Sequence, residues 1–262
     1  MWALAREWWG EDEGGAGPAQ LHMMRRAGLS DDTLETTAAV TASSAMTFLI
    51  WVAAVTAHDA ASPAFICWGM PDGTTPFDPG VMVRFNPASS DRIEATIGRA
   101  GVSNQATAVV PLPGGATDIT TLSNFLVWLT IDGATARVGI GDPADGNVSA
   151  PTAITGGVDT GSTTVASLFG RNGTTARGLA ATLSAGVMGE VLSDAAIAAA
   201  AALGASGPAT AVAASSAPLW CPRPAPGIVD AEDLDVATDI VDAAGVQSHA
   251  LTAGAARLKA AA

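Results

Sequence analysis

Residues 45–57 read AMTFLIWVAAVTA, an apolar run that carries no charged side chain and is rich in β-branched and aromatic residues. A membrane-spanning helix needs about 20 apolar residues, so this run is too short to cross a bilayer. Its composition favours a strand that is buried on both faces. Such a strand needs a second layer of structure over it, and the run therefore predicts the core strand of a β-sandwich.

The segments that follow this run have the period of two that strands require. AFICWGM at 64–70 and VMVRFNP at 81–87 come first, and DRIEATIGR at 91–99 is next. In the last of these, apolar residues alternate with Arg92, Glu94 and Thr96, which predicts a half-buried antiparallel strand with a solvated polar face. We therefore interpret Glu94 as a surface residue and not as one of a pair of glycosidase carboxylates.

A hairpin and one helix complete the pattern. NFLVWLTIDG at 124–133 and ATARVGIG at 134–141 meet at Asp132–Gly133, a dipeptide that suits a tight turn between antiparallel strands. Ser193–Asp194 predicts the start of a short alanine-rich helix that ends at Leu203. Many short strands separated by turns and followed by one helix indicate an all-β antiparallel sandwich.

Four segments are predicted along the chain. Residues 1–35 form an N-terminal arm with a Trp-rich helix, and residues 36–204 form the sandwich. Residues 205–229 are rich in proline and alanine and predict an extended strap. Residues 230–262 supply one or more closing strands and a tail. The fold class is thus a β-sandwich with a short helix and extended terminal arms.

Charge and composition exclude several classes of function. The net charge is −13, from 12 basic and 25 acidic residues, so a nucleic-acid backbone is not an expected partner. No segment is predicted to insert into a membrane, and the N-terminus lacks the apolar core of a secretion signal. The three histidines and two cysteines have no zinc-ligand spacing. Cys67 lies in an apolar run and is expected to be buried, and a Cys67–Cys221 disulfide remains an open alternative.

The stretch from about residue 45 to 203 resembles a laminin-G-like, concanavalin A-like jelly-roll domain. The apolar run 45–57 is similar to the opening core strand of such domains. In the hairpin, a pattern of the form WLTIDGxxxRV is matched at Trp128, Asp132, Gly133 and Arg137. The sequence LSDAAI at 192–197 resembles the ending of these domains. The segment 240–256 resembles their opening element, although it stands here near the C-terminus.

The resemblance implies a rim of loops at which some of these domains bind calcium and others bind sugars. The candidate calcium ligands are Asp142, Asp145 and Asn147 in DPADGN, because short-spaced oxygen ligands suit a hard cation. Ordinary turn chemistry also explains this sequence, and it is the favoured interpretation. No cofactor other than calcium is expected.

Tryptophans outside the predicted sandwich are candidates for partner binding. Trp2, Trp8 and Trp9 form an aromatic face near the N-terminus, and Trp220 stands in the predicted strap. The N-terminal three pack back on the domain or dock on a partner. The acidic stretch 230–242 is either a partner surface or, as we favour, a guard against mispairing of an exposed strand.

No nucleophile elbow and no Ser–His–Asp, Cys–His or phosphate-loop pattern is found, so an enzyme is not expected. Aromatic and Pro-rich arms and a Gly/Ala/Thr-rich composition favour a structural virion protein of a tailed bacteriophage or phage-like particle. Such a protein would be a head decoration, a spike or a tail-fibre component. It would be located in the virion and oligomerise with other virion subunits, with a host-surface glycan as an additional partner. The alternative is a carbohydrate-binding module of a bacterial surface or secreted protein, located outside the cell or on its surface.

Overall fold

Antiparallel strands are the main regular elements among the described residues of this computed structural model. It describes residues 22–24, 34–58, 63–69, 79–86, 91–99, 102–161, 165–170, 179–224, 240–246, 249–251 and 259–261. The described strands are, in chain order, β1 (His22–Met24), β2 (Leu34–Thr36), β3 (Ala45–Ala57), β4 (Ala64–Trp68), β5 (Gly80–Phe85), β6 (Arg92–Arg99), β7 (Val102–Pro111), β8 (Ser123–Asp132), β9 (Thr135–Ile140), β10 (Thr152–Ala153), β11 (Ala166–Leu168), β12 (Ala180–Met188), β13 (Pro218–Trp220), β14 (Pro222–Pro224), β15 (Ile240–Asp242), β16 (His249–Leu251) and β17 (Lys259–Ala261).

These strands form two large sheets and one small one. The first sheet has the order β10-β9-β8-β3-β12-β1-β17, with β13 also paired to β12. The second has the order β16-β2-β11-β4-β5-β6-β7, and β14 pairs with β15 in the small sheet. Every pairing between the described strands is antiparallel. The predicted fold class, an all-β antiparallel sandwich, is therefore confirmed.

The apolar run at 45–57 is the central strand that the sequence predicts. β3 pairs with β8 on one side and with β12 on the other. Its inward side chains, among them Phe48, pack against the second sheet. Phe48 contacts Trp68 edge to face at 6.2 Å, and Trp68 contacts Trp220 at 6.3 Å between ring centroids. Because these three rings come from β3, β4 and β13, they join both sheets and a late segment of the chain in one core.

The predicted hairpin at Asp132–Gly133 is also present, with its turn one residue further along. Asp132 is opposite Thr135, so Gly133 and Ala134 are the two central residues. Gly133 has φ 55°, and a hairpin turn of this length with glycine first places that residue at positive φ.

A pair of helices covers the outer face of the first sheet. They are α1 (Asp194–Ala202), whose cap Ser193 accepts a hydrogen bond from the Ala196 N–H, and α2 (Gly207–Ala214). Their apolar side chains pack on outward residues of β3, β8 and β12. No helix among those described is long and apolar enough to cross a membrane.

The predicted strap requires a correction. Residues 205–229 were expected to be extended, yet 207–214 form α2, and β13 and β14 follow. Pro208 lies in the first turn of α2, where a backbone N–H has no acceptor within the helix. The proline therefore costs the helix no hydrogen bond. The alanines that follow it are strong helix formers, and they bury Val212 against the sheet. The segment becomes extended only after Ala214, in β13 and β14.

Strands from both predicted arms belong to the sheets. β1 pairs with β17, and β2 pairs with β16, so N- and C-terminal segments adjoin each other in both sheets. β16 lies within the segment 240–256 that resembles the opening element of the jelly-roll domains. Its position beside β2 puts this late segment next to the first strands of the chain.

Trp128 attaches the helix layer to the sheet. Its indole is fully buried on the outer face, and its Nε1–H donates to the Gly141 carbonyl at 3.1 Å. Arg137 lies over the ring at 5.5 Å and forms an ion pair at 3.0 Å with Asp194 of α1. A Cβ on Gly139 would overlap the ring, lying 2.8 Å from Nε1 and closer still to two ring carbons.

We expect Gly139→Ala to destabilise the protein by about 3 kcal/mol, because a rigid buried ring has no free direction in which to move. The measurement is the free energy of unfolding in urea. Gly189→Ala is the matched control, since its Cβ would meet ordinary contacts, the nearest being the Ala217 Cβ at 3.5 Å. Equal stability of the two variants would contradict the prediction.

Candidate functional site

The rim loop predicted to hold calcium is a capped turn. Pro143–Asp145 form one 3₁₀ turn, and the Asp142 carboxylate accepts a hydrogen bond from the Ala144 N–H at 2.8 Å. Gly146 closes the turn at φ 78°, and the Asn147 carbonyl accepts from the Ile140 N–H at 2.9 Å. Asp142 and Asn147 thus both serve the loop backbone, and the exposed Asp145 side chain lies beside Gly141.

A metal centre needs several ligands at one point. Within the described parts of the chain, no three His, Cys, Asp or Glu side chains come together in a way that could hold a metal ion. Calcium takes 6–8 oxygen ligands, so the three predicted residues would need further oxygens from elsewhere. The hydrogen bond from the Ala144 N–H to Asp142 and the positive φ of Gly146 account for DPADGN as a turn that an aspartate holds in place.

The prediction that Trp220 binds a partner is wrong. Its side chain is fully buried and packs against Trp68 in the core, because β13 is hydrogen-bonded to β12 and not part of an exposed strap. Trp2, Trp8 and Trp9 lie outside the described residues, and their role remains a prediction.

A charged cluster lies on the outward face of the second sheet. Both Nε and Nη2 of Arg84 donate to Oε2 of Glu94, at 3.1 and 2.8 Å. The Asn86 amide donates to Oε1 of Glu94 at 2.6 Å. We call Arg84, Asn86, Glu94 and the neighbouring Thr96 the polar face.

The prediction that this face of β6 is solvated is also wrong. Glu94 is only 6 % exposed and Thr96 is 1 % exposed. Alternation along one strand shows that two faces differ in polarity, but it does not show whether the polar one meets water. Arg84 lies directly opposite Glu94 in the register, so the buried carboxylate has a guanidinium as its hydrogen-bonding partner.

Burial extends across most of the second sheet at the level of Thr96. One register row runs over six strands with side chains on this outward face. It consists of Glu35, Ser167, Cys67, Met82, Thr96 and Thr107. Five of these side chains are buried, and Thr107 is half-buried. Among the described residues of this row, the Thr96 hydroxyl is a buried polar group without a hydrogen-bond partner, and its oxygen is shielded from solvent.

Glu190 is a carboxylate that the sequence did not single out. It follows β12 and accepts hydrogen bonds from the Ser215 hydroxyl, from the Ser216 hydroxyl at 3.0 Å and from the Ser216 N–H at 3.1 Å. These bonds fasten the end of α2 to the end of β12. The hydrogen bond from Ser215, followed by those from Ser216, lowers the pKa of Glu190 below its ordinary value of 4.5.

Asp242 and Asp118 brace other loops in the same way. Asp242 accepts from the backbone N–H groups of Cys221 at 2.7 Å, Ala244 at 3.0 Å and Val246 at 2.9 Å. Asp118 accepts from the Thr120 N–H at 2.9 Å and lies 3.4 Å from His58. The backbone N–H of Thr120 is the main cause that lowers the pKa of Asp118. The sequence signal for such bracing is an acidic residue at the start of a turn, and it is common in turns.

Cys67 and Cys221 are both buried and are not joined in a disulfide, which answers the question that the sequence left open. Cys67 has no exposed surface, as its apolar surroundings predict. Burial, with a smaller contribution from Asp242, raises the pKa of Cys221 to about 12. A thiol with so high a pKa is a poor nucleophile at neutral pH.

Comparison with known proteins gives structural neighbours only. No protein-family model matches the chain, and no curated protein matches it in sequence. One solved structure that it resembles is a native heptameric SAP-like pentraxin from Limulus polyphemus, with TM-score 0.44 and 8 % identity over 69 % of this chain and 81 % of that one. Another is the binding domain of botulinum neurotoxin serotype G, with TM-score 0.40 and 12 % identity over 68 % of this chain and 38 % of that one.

The Glu190 brace should make stability depend on pH. The pKa of Glu190 is lower in the folded protein than its ordinary value of 4.5. The carboxylate therefore stabilises the folded state at pH values above 4.5, and this stabilisation is lost as the pH falls through the folded-state pKa. We expect Glu190→Gln to cost about 1 kcal/mol at pH 7 and much less at pH 3. The measurement is urea unfolding at both pH values.

Asp132→Asn is the control for Glu190→Gln, because Asp132 is an exposed carboxylate at the end of β8. It should have little effect at either pH. A cost for Glu190→Gln that is the same at both pH values would show that the charge of this carboxylate is not what braces the loop.

Proposed function

We propose that this chain is a non-enzymatic binding and assembly domain that serves as a structural protein of a tailed bacteriophage or phage-like particle. Within the particle it would be a head decoration, a spike or a tail-fibre component, and its partners would be other virion subunits. The observation that carries the proposal is how the carboxylates are used. Glu94, Asp118, Asp142, Glu190 and Asp242 all accept hydrogen bonds from this chain's own groups.

Carboxylates used in this way hold loops in fixed positions. An enzyme of the glycosidase type needs two carboxyl groups that face a substrate, and Glu94 faces Arg84 instead. The outer face of the first sheet is covered by helices, and in the polar face of the second sheet Glu94 and Thr96 are buried and Arg84 and Asn86 are half-buried. Edges and braced loops are then the surfaces left for recognition, which suits a subunit that packs among others.

A carbohydrate-binding module is the second candidate. The jelly-roll domains that the sequence resembles include ones that bind sugars at a rim of loops, and the exposed Asp145 side chain of this chain lies in a loop directly after β9. In that case the domain would act outside a cell or on its surface.

The assembly role predicts that the chain is a component of particles. Density-gradient fractions of particles from the source culture would be analysed by mass spectrometry. Peptides of this chain should follow the particle peak in a constant ratio to the other structural proteins. Their confinement to the soluble fraction would contradict the virion role.

The carbohydrate role predicts saturable binding on a glycan array. The purified chain would be applied with and without EGTA. Saturable binding to a defined set of glycans would favour the second candidate, and an array to which the chain does not bind would contradict it. Binding that EGTA abolishes would point to the loop at 142–147. A host-attachment protein could also bind glycans, so the two experiments are read together.

A further inference from the structure

The edge strand β7 has hydrogen-bonding groups that point away from the sheet. β7 is the last strand of the second sheet, and β6 is its neighbour there among the described strands. The Leu112 N–H donates to the Asp91 carbonyl at 2.6 Å, and Arg92 is opposite Pro111 in the same ladder. In an antiparallel ladder, hydrogen-bonded and non-bonded pairs alternate.

This alternation assigns a direction to the backbone groups of β7. Ala106, Ala108 and Val110 bond to β6, whereas the N–H and C=O groups of Thr107 and Val109 point off the edge. Pro111, which has no N–H, falls at an outward position, as a proline in an edge strand should.

β7 differs from the other sheet edges in its length. It spans ten residues, whereas β10 has two and β16 and β17 have three each. Proteins usually protect a long edge strand with charged residues, bulges or a covering segment, because it can pair with another strand. The sequence of β7, VSNQATAVVP, contains no charged residue.

The charged residues beside β7 are those opposite it on β6, namely Arg92, Glu94 and Arg99, and Glu94 is already paired with Arg84. Residues 100–117 and 148–158 contain no Asp, Glu, Lys or Arg, and β7 packs beside β9 and β10 of the other sheet. The whole chain carries −13, so two copies repel each other wherever their acidic groups meet. The β7 side of the sandwich is where a second copy can approach with little repulsion.

We propose that two copies of this chain pair through β7, antiparallel and about a two-fold axis. Thr107 and Val109 of each copy supply the backbone hydrogen bonds, and the second sheet continues across both copies. The inward residues Ala106, Ala108 and Val110, already buried, continue the core across the junction. The second copy would be a first partner in the assembly role proposed above, and this inference rests on that role.

The test is light scattering of the full chain on a sizing column over a range of concentrations. The wild type should form a dimer whose fraction rises with concentration. Val109→Pro removes an outward N–H and leaves the β6–β7 bonds in place, so it should weaken dimerisation at least about tenfold. Thr107→Lys should do the same by placing like charges near the two-fold axis.

Ala153→Pro in β10 is the matched control. The Ile154 N–H donates to the Ala134 carbonyl at 2.7 Å, so the N–H of Ala153, one residue earlier, also points off its edge. This variant should dimerise like the wild type. Circular dichroism and thermal unfolding would establish that each variant is folded. In addition, the amides of Thr107 and Val109 should exchange more slowly in the dimer than in the monomer.

A wild type that stays monomeric at all concentrations would overturn the β7 interface. So would folded Val109→Pro and Thr107→Lys variants that dimerise as well as the wild type. Either result, with peptides of the chain present in purified particles, would leave the proposed function standing. A dimer sensitive to both substitutions, from a chain absent from particles, would retain the interface and remove the virion role.

Discussion

The core contact among Phe48, Trp68 and Trp220 is the interaction on which the rest of the structure depends. The two sheets are built largely from small and β-branched side chains, which fill little of the space between layers about 10 Å apart. Three large rings that contact one another, Phe48 with Trp68 and Trp68 with Trp220, fill that space at one place and connect both sheets. Because Trp220 comes from a segment after the helices, the core is complete only when the late part of the chain has returned to β12.

A second constraint follows from the sheets themselves. A sheet has two faces, and in the described part of the chain both outer faces are at least partly withdrawn from solvent. Trp128, Gly139 and the helix pair cover one, and on the other Glu94 is buried in its ion pair with the half-buried Arg84. The residues that resemble the jelly-roll motif, Trp128 and Arg137 among them, therefore hold the helix layer in place. The loops between the strands are held in place by the carboxylates.

The local elements were predictable because each is determined by neighbours in sequence. β3 has the bounds of the apolar run 45–57, the helix begins after Ser193, and the hairpin turns within one residue of Asp132–Gly133. The burial of Trp220 and Glu94 was not predictable in this way. Both depend on which segments pair across long stretches of chain, and a period of two looks the same on a wet face and on a covered one.

The sequence by itself determined the fold class, the central strand, the hairpin, the helix α1 and the overall acidity of this protein. Each follows from local propensity, hydrophobic period or simple charge. Only the tertiary structure decided that Pro208 begins a helix, that terminal strands enter both sheets, that the two thiols stay apart and that β7 forms a long uncharged edge. These features arise from strand order and register, which are set by contacts between residues far apart in the chain.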